Sequence, residues 1–123
     1  MNRLGDLERR VMDVLWDSDQ ASLSGREIAD QLPDRAYTTV LTIVDRLRRK
    51  DMIDRTTVGR VHRFAAAGTR EAYMAELMIE AMGGSGDRGA VLVRFAESVS
   101  SDEARVLRQA LDDAAGGLGD EPK

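Results

Sequence analysis

The sequence of 123 residues contains no cysteine and only one histidine, His62. The missing cysteine excludes disulfides, thiolate metal sites and a cysteine nucleophile. A single histidine excludes a histidine-cluster metal site and most histidine-based acid–base pairs. Apolar runs reach only about five residues, far short of a membrane-spanning helix, and the first residues lack the apolar stretch of a secretory signal. The sequence therefore predicts a cytoplasmic protein with no membrane insertion, no metal and no cofactor.

Enzymatic motifs are also missing from the chain. It contains no P-loop, no dinucleotide-binding fingerprint and no nucleophile elbow. The adjacent carboxylates Asp112 and Asp113 would point in different directions on a helix, so they make a poor catalytic pair. We therefore predict that the protein is not an enzyme.

Charge is distributed unevenly along the chain, whose net charge is −4. Residues 35–65 contain eight basic and three acidic side chains, a net charge of +5. Residues 66–123 contain six basic and eleven acidic side chains, a net charge of −5. This asymmetry indicates two functions on one chain, with a basic middle segment suited to an anionic partner.

The first 32 residues show the spacing of two helices. Leu7, Val11 and Leu15 lie on one helical face and predict a first helix that ends near Trp16. Ser24 and Glu27 have the spacing of a capping box, in which each side chain accepts a hydrogen bond from a backbone N–H of the first turn. We therefore predict a short second helix over residues 25–32, which stops at Pro33.

A third helix, over residues 37–50, has one apolar and one polar face. Val40, Val44 and Leu47 form its apolar side. The opposite face presents threonine hydroxyls and arginines at spacings of three and four, namely Thr39, Thr42, Arg46 and Arg49. After it, residues 52–58 and 61–66 alternate in the manner of two strands joined at Gly59. The fold class predicted is mostly α with a small β-hairpin, a winged helix-turn-helix domain over residues 1–67.

Three more amphipathic helices are predicted after this domain, near residues 70–82, 88–99 and from residue 101 onward. They have too few residues for a core of their own, so we expect a second copy of the chain to cover their apolar faces. Residues 68–116 are thus predicted to form a helical dimerisation region, and residues 117–123 a disordered tail. The candidate dimerisation residues are Met74, Leu77, Met78, Met82, Leu92, Phe95, Leu107 and Leu111.

The third helix and the hairpin predict binding to double-stranded DNA. In a helix-turn-helix the second helix enters the major groove, where arginine pairs with guanine and threonine bonds a base or contacts a thymine methyl. The candidates for base contact are Thr38, Thr39, Thr42 and Arg46, and Tyr37, near the helix start, is a candidate for contact with a base or a phosphate. The candidates for phosphate contact, which positions a protein without reading sequence, are Arg49, Lys50, Arg60 and Arg63.

Other interpretations of the same residues remain open. Cations at the end of a helix also complement its dipole, and a threonine-rich face can be an ordinary solvent face. Many winged helices bind proteins, so a protein-interaction module is the first alternative. A repressor that responds to a small molecule is the second, because the methionine-lined helices could frame a pocket, although methionine more often fills gaps in packing.

Four segments of the chain resemble the BlaI/MecI family of bacterial penicillinase repressors and their actinobacterial relatives. They are LERRVMDVLW at 7–16, AYTTVLTIVDRL at 36–47, GRVHRF at 59–64 and VRFAESVSSDE at 93–103. The resemblance implies a winged-helix domain, a helical dimerisation region and a homodimer that represses transcription from a palindromic operator. It places the DNA contacts on the third helix and the hairpin.

The resemblance also implies a mode of release. Better-known members of the family are cleaved in the C-terminal region when a membrane sensor metalloprotease is triggered, and they control β-lactam-response genes. By position the scissile bond here lies between Arg94 and Phe95, although the family pattern has asparagine where this chain has Arg94. Copper-responsive relatives use a C-terminal cysteine motif, and a chain without cysteine does not inherit that sensing mode.

Overall fold

The computed structural model describes residues 3–119, and the side chains of residues 3–116. Six helices and three strands follow one another in this range. They are α1 (Asp6–Asp17), β1 (Leu23–Ser24), α2 (Gly25–Asp30), α3 (Tyr37–Arg49), β2 (Ile53–Val58), β3 (Val61–Ala66), α4 (Arg70–Gly83), α5 (Arg88–Ser98) and α6 (Ser101–Gly119). The strands form one antiparallel sheet in the order β1-β3-β2. The predicted order of three helices, a hairpin and further helices is confirmed.

One short strand, β1, was not predicted from the sequence. β1 contains only two residues, and Leu23 pairs with Phe64 of β3 while Ser24 pairs with Arg63. Two residues are too few to show the alternation that identifies a strand. The pairing matters because it fixes the beginning of α2 against the hairpin.

The core of the first domain comes from one face of each of its helices. α1 contributes Val11, Met12 and Leu15, and the hairpin contributes Ile53 and Phe64. The buried side chains of α2 and α3 fill the space between them: Ile28, Ala29, Val40, Ile43, Val44 and Leu47. Since this packing fixes the inner face of α3, the opposite face of the helix is turned to solvent.

Helix α4 begins in the same compact unit as the winged helix. Tyr73 is buried, its ring centroid lies 5.6 Å from that of Trp16, and its hydroxyl accepts a hydrogen bond from the Leu4 N–H. Arg70 forms ion pairs with Asp13 and Asp17 of α1. The compact units therefore divide after Glu80, whereas the sequence analysis placed the boundary after residue 67.

The second compact unit begins at Ala81 and contains α5 and α6. Asp87 caps α5 by accepting from the Ala90 N–H, and Ser100 and Glu103, which have the same spacing as Ser24 and Glu27, form a capping box at the start of α6. α6 continues to Gly119, so residues 117–119 are helical and not the disordered tail predicted from residue 117. Extending a formed helix costs far less than nucleating one, even through glycine. Residues 120–123 lie outside the described part of the chain.

Candidate nucleic-acid interface

The outer face of α3 is a row of exposed polar side chains. Tyr37, Thr38, Thr39, Thr42 and Arg46 are all exposed. Thr38, Thr42 and Arg46 stand opposite the buried apolar face of the same helix, whereas Tyr37 lies to the side, next to Arg26 of α2. A rigid helix therefore holds hydroxyl groups and one guanidinium in fixed relative positions, as groove recognition requires.

Near the start of α3, the hydroxyl group of Thr42 forms a hydrogen bond within the helix. Ala36 occupies the N-cap position and offers no side-chain bond to the N–H groups of the first turn. Thr42 donates its hydroxyl hydrogen to the carbonyl oxygen of Thr38 at 2.9 Å. The Thr42 oxygen can then only accept a bond from a base, while its methyl group stays available for apolar contact with thymine.

Three of the predicted phosphate contacts already have partners within the protein. Arg49 pairs with Asp45 on its own helix. Lys50 bonds to Glu8 of α1 at 2.8 Å. Arg63 donates to the hydroxyl and carbonyl oxygens of Ser22. These partners lie up to 42 residues away in sequence, so counting the charges along the chain does not reveal them.

The remaining exposed arginines of the segment from α2 to β3 form no salt bridge among residues 3–119. The charges of Arg46 and Arg35 nevertheless act on Glu8 and Asp34, respectively, and help to lower the pKa of each carboxyl. Arg46 and Arg60 belong to the predicted site. Arg26, Arg35 and Arg55 do not, and the sequence analysis missed them. Arg26 could have been found, because it is a cation in the first turn of a helix, where the helix dipole disfavours positive charge.

The hairpin projects a basic tip beyond the sheet. Gly59 has φ +63°, a left-handed conformation that glycine adopts without strain, and it places Arg60 at the turn. Val58 and Val61 pair across the strands and are both exposed. Further from the tip, Thr57 and His62 share a hydrogen bond of 3.0 Å. The turn thus forms a small wing with one arginine at its end.

Lys50 and Glu8 link the end of α3 to α1. The Glu8 side chain is 8% exposed and the Lys50 side chain 34%. Burial by itself raises the pKa of Glu8, but hydrogen bonds from Lys50 and the Gly5 N–H, with the charge of Lys50, outweigh it and hold that pKa below its ordinary value. The pair therefore stabilises the folded state with Glu8 ionised.

We expect Lys50→Met to destabilise the protein by about 1–3 kcal/mol at pH 7, because it leaves a buried carboxylate without its cation. Water around the half-exposed lysine reduces the loss below that of a fully buried pair. In the wild type, the lowered pKa of Glu8 stabilises the folded state at pH values above 4.5, the ordinary pKa of the group. This stabilisation is lost as the pH falls through the pKa that Glu8 has in the folded protein. Urea unfolding at pH 7 and pH 4 should show the two proteins converging in acid.

Arg48→Met is the matched control for this change. Its side chain is also 34% exposed, but its partner Asp45 is 37% exposed. An exposed pair contributes about 0–1 kcal/mol, so Arg48→Met should cost much less than Lys50→Met. Equal losses for Lys50→Met at both pH values would mean that the lysine stabilises by packing and not by charge.

Most of the predicted dimerisation residues are exposed in the single chain. Met74, Met78, Leu92, Phe95, Leu107 and Leu111 are exposed, whereas Leu77 and Met82 are half-buried. Ile79, Val93 and Val106 are exposed as well. These three residues lie outside the apolar helical faces from which the dimerisation residues were predicted, so the sequence did not identify them. Each of α4, α5 and α6 therefore presents apolar side chains to solvent.

Arg94 and Phe95, the pair at the predicted cleavage site, lie inside helix α5. The Arg94 carbonyl oxygen accepts a hydrogen bond from the Ser98 hydroxyl at 3.1 Å. Phe95 is exposed. The phenylalanine is therefore accessible, but the bond before it belongs to a formed helix.

The described residues offer neither a metal site nor a membrane-spanning helix. Among the described residues no cluster of three or more histidine, aspartate or glutamate side chains could hold a metal ion. In the same range no helix combines the length and the apolar composition that crossing a membrane requires.

Comparison with known proteins identifies relatives of the whole chain. The family model described as penicillinase repressor matches residues 4–113. The transcriptional regulator BlaI of Mycobacterium tuberculosis, in strains H37Rv and CDC 1551, is 41% identical over 128 residues, which cover 99% of this chain and 92% of the relative.

Solved structures share the fold at low sequence identity. A MarR family protein from Bacillus stearothermophilus has a TM-score of 0.51 at 19% identity, covering 96% of this chain and 77% of that one. A mutant of the Staphylococcus aureus protein MepR, bound to an oligodeoxyribonucleotide, has a TM-score of 0.51 at 18% identity, covering 94% and 80%. These similarities confirm the predicted winged-helix class.

Proposed function

The chain belongs to the penicillinase repressor family, and we propose that it represses transcription as a homodimer bound to a palindromic operator. Repression by DNA binding is the activity of a regulator and not of an enzyme. The 41%-identical relatives are themselves named transcriptional regulators. The finer parts of the proposal rest on the geometry of α3, the wing and the C-terminal helices.

The outward face of α3 is the observation on which the DNA-binding mode rests. We place this helix in the major groove, where Thr39, Thr42 and Arg46 meet base edges. Arg46 suits guanine because its exposed guanidinium forms no salt bridge among residues 3–119 and acts on Glu8 only through its charge. Thr42 suits thymine, because its hydroxyl hydrogen is committed to Thr38 and its methyl group stays available. The face thus combines hydrogen bonding with apolar contact.

The wing supplies contacts to the DNA backbone beside the groove. Arg60 stands at an exposed turn and has no carboxylate partner in the described part of the chain. Arg49 also contributes here, since its exposed side chain can exchange Asp45 for a phosphate. Lys50 and Arg63 act differently in this proposal: they fix the ends of α3 and of the wing so that the other cations are correctly placed.

A homodimer accounts for the exposed apolar side chains of α4, α5 and α6. Met78, Leu92 and Leu111 would each remain in water in a monomer, and exposed large apolar side chains on several helices are typical of an interface. A two-fold dimer presents two α3 helices to two half-sites that are related by the same symmetry. The half-site centres should then lie about one helical turn of DNA apart, or a multiple of it.

The controlled genes and the release step complete the proposal. We assign the protein to the control of β-lactam-response genes, with release by a membrane sensor metalloprotease that cleaves between Arg94 and Phe95. Cleavage there would detach α6 from the DNA-binding domain. Because the bond lies within α5, and a protease binds its substrate in extended form, α5 has to unwind locally before it is cut.

Selection from random-sequence duplexes, followed by sequencing near physiological salt, tests the DNA-binding proposal. The expected product is an inverted repeat with one fixed half-site spacing. An Arg46→Glu variant in a parallel selection provides the control, and it should recover no such repeat. If the wild type also yields no motif and its binding vanishes as salt rises, the basic face is non-specific or faces a protein partner.

A further inference from the structure

Arg26 and Tyr37 form an exposed stack at the junction of α2 and α3. The guanidinium carbon of Arg26 lies 4.1 Å from the centroid of the Tyr37 ring. Both side chains are exposed. Among residues 3–119 Arg26 makes no ion pair and no hydrogen bond through its side chain. The ring therefore holds the guanidinium at the surface, and the N–H groups of the exposed Arg26 side chain stay available to a further partner.

A close approach of two helices produces this stack. A Cβ atom on Gly25 would lie 2.7 Å from Cδ2 of Leu41, nearer than side-chain carbons come without a shift. Leu41 follows Tyr37 by four residues, so both lie on the side of α3 that faces α2. Glycine at position 25 lets the first turn of α2 rest on that side, which places Arg26 over the ring.

Two further interactions hold the same turn in place. Ser24 accepts from the Glu27 N–H at 3.1 Å, and Glu27 accepts from the Ser24 N–H at 2.8 Å. Arg63 of β3 bonds to Ser22, just before β1, and pairs with Glu27. The nearest carboxylate in the sequence, Glu27, is thus engaged by other partners. The backbone of Arg26 is thus held by contacts in which its own charge takes no part, and only the contact with Tyr37 involves that charge.

We propose that Arg26, oriented by Tyr37, binds a DNA phosphate and thereby fixes the position of α3 in the major groove. The inference rests on the proposed DNA-binding function. A stacked guanidinium is suited to this role because two parallel N–H groups on its edge match two phosphate oxygens. Tyr37 is then a positioning residue, and the phosphate contact belongs to Arg26.

Fluorescence anisotropy with a labelled 30-base-pair duplex of mixed sequence, over a series of salt concentrations, tests this assignment. We expect Arg26→Ala to weaken binding and to make the log–log salt dependence shallower by about 0.9 per protomer, the change for one lost phosphate contact. Tyr37→Leu should weaken binding with the salt dependence unchanged, because the charge remains but is no longer oriented. Tyr37→Phe keeps the ring, so its salt dependence should equal that of the wild type, and any change in affinity then measures the contribution of the Tyr37 hydroxyl.

The controls separate this inference from the function on which it rests. Arg105→Ala makes the same change in net charge on α6 and should leave binding unaltered. The double variant Arg26→Ala/Tyr37→Leu should bind as Arg26→Ala does, because the ring acts only through the arginine. An unchanged salt dependence in Arg26→Ala, or additive losses in the double variant, would overturn the stack as a phosphate contact. Failure of the wild type to bind the duplex would instead overturn the DNA-binding proposal.

Discussion

Replacing Arg46 by alanine should weaken binding to the selected operator by about 1–3 kcal/mol per half-site, or about 5- to 150-fold. The same change should relax the base preference at one position of the half-site. The reason is geometric: Arg46 projects from the middle of the exposed face of α3, and it forms no salt bridge among residues 3–119 that must first be broken. A homodimer contains the change twice, so the loss on the full palindrome should be twice the loss on one half-site.

Arg49→Ala is the matched control, since it removes the same side chain three residues along the same helix. Arg49 is 74% exposed and paired with Asp45, as expected of a side chain that contacts phosphates and not bases. We expect Arg49→Ala to weaken all sequences alike and to make the salt dependence shallower. Competition titrations with operators altered at single positions distinguish the two patterns. If Arg46→Ala weakens the binding of all sequences equally, Arg46 contacts the DNA backbone and not a base. Unchanged affinity would show that the proposed recognition face is wrong.

The sequence predicts the outer face of α3 well because a helix period is a local property. Apolar residues at Val40, Val44 and Leu47 determine which side packs inward, and the exposed side then follows from geometry. The capping boxes at Ser24 and Ser100 were equally predictable, since each requires only two residues three positions apart. All of these features were found where the spacing places them.

The partners of the basic residues were not predictable in the same way. The segment over residues 35–65 has a net charge of +5, but the folded chain brings Glu8 to Lys50 and Glu27 to Arg63. These contacts depend on tertiary packing between elements far apart in sequence. A cluster of cations in a sequence therefore overstates the number available to DNA. It also hides Arg26, which lies outside the cluster and reaches Tyr37 only after α2 packs on α3.

The domain boundary shows the same limit. Nothing in the spacing of α4 indicates that its first half packs on α1, because that contact depends on single aromatic side chains and not on a period. Tyr73 and Trp16 join the two helices, so the compact unit extends to Glu80. The predicted dimerisation residues of α4 thus lie on a helix whose first half packs on the DNA-binding domain.

Replacing Leu107 and Leu111 together by glutamate should convert the proposed homodimer into a monomer and lower operator affinity by about 100- to 10,000-fold. The two leucines are four residues apart on one face of α6 and are 37% and 59% exposed in the single chain. Carboxylates are tolerated at such positions in a monomer, but burying one in an interface without a partner costs several kcal/mol. The loss on DNA follows because a dimer binds its second half-site as an intramolecular event, which is the source of the factor.

Sedimentation equilibrium gives the oligomeric state, and anisotropy with the selected palindrome gives the affinity. The matched control is Arg108→Gln/Gln109→Glu, which also lowers the net charge by two on exposed positions of α6. It should remain dimeric and bind the palindrome nearly as the wild type does. If both double variants lose affinity equally, the acidic charge itself opposes DNA binding and the apolar face is not the cause. A Leu107→Glu/Leu111→Glu protein that stays dimeric would place the interface elsewhere, on α4 or α5, where Met78 and Val93 remain exposed.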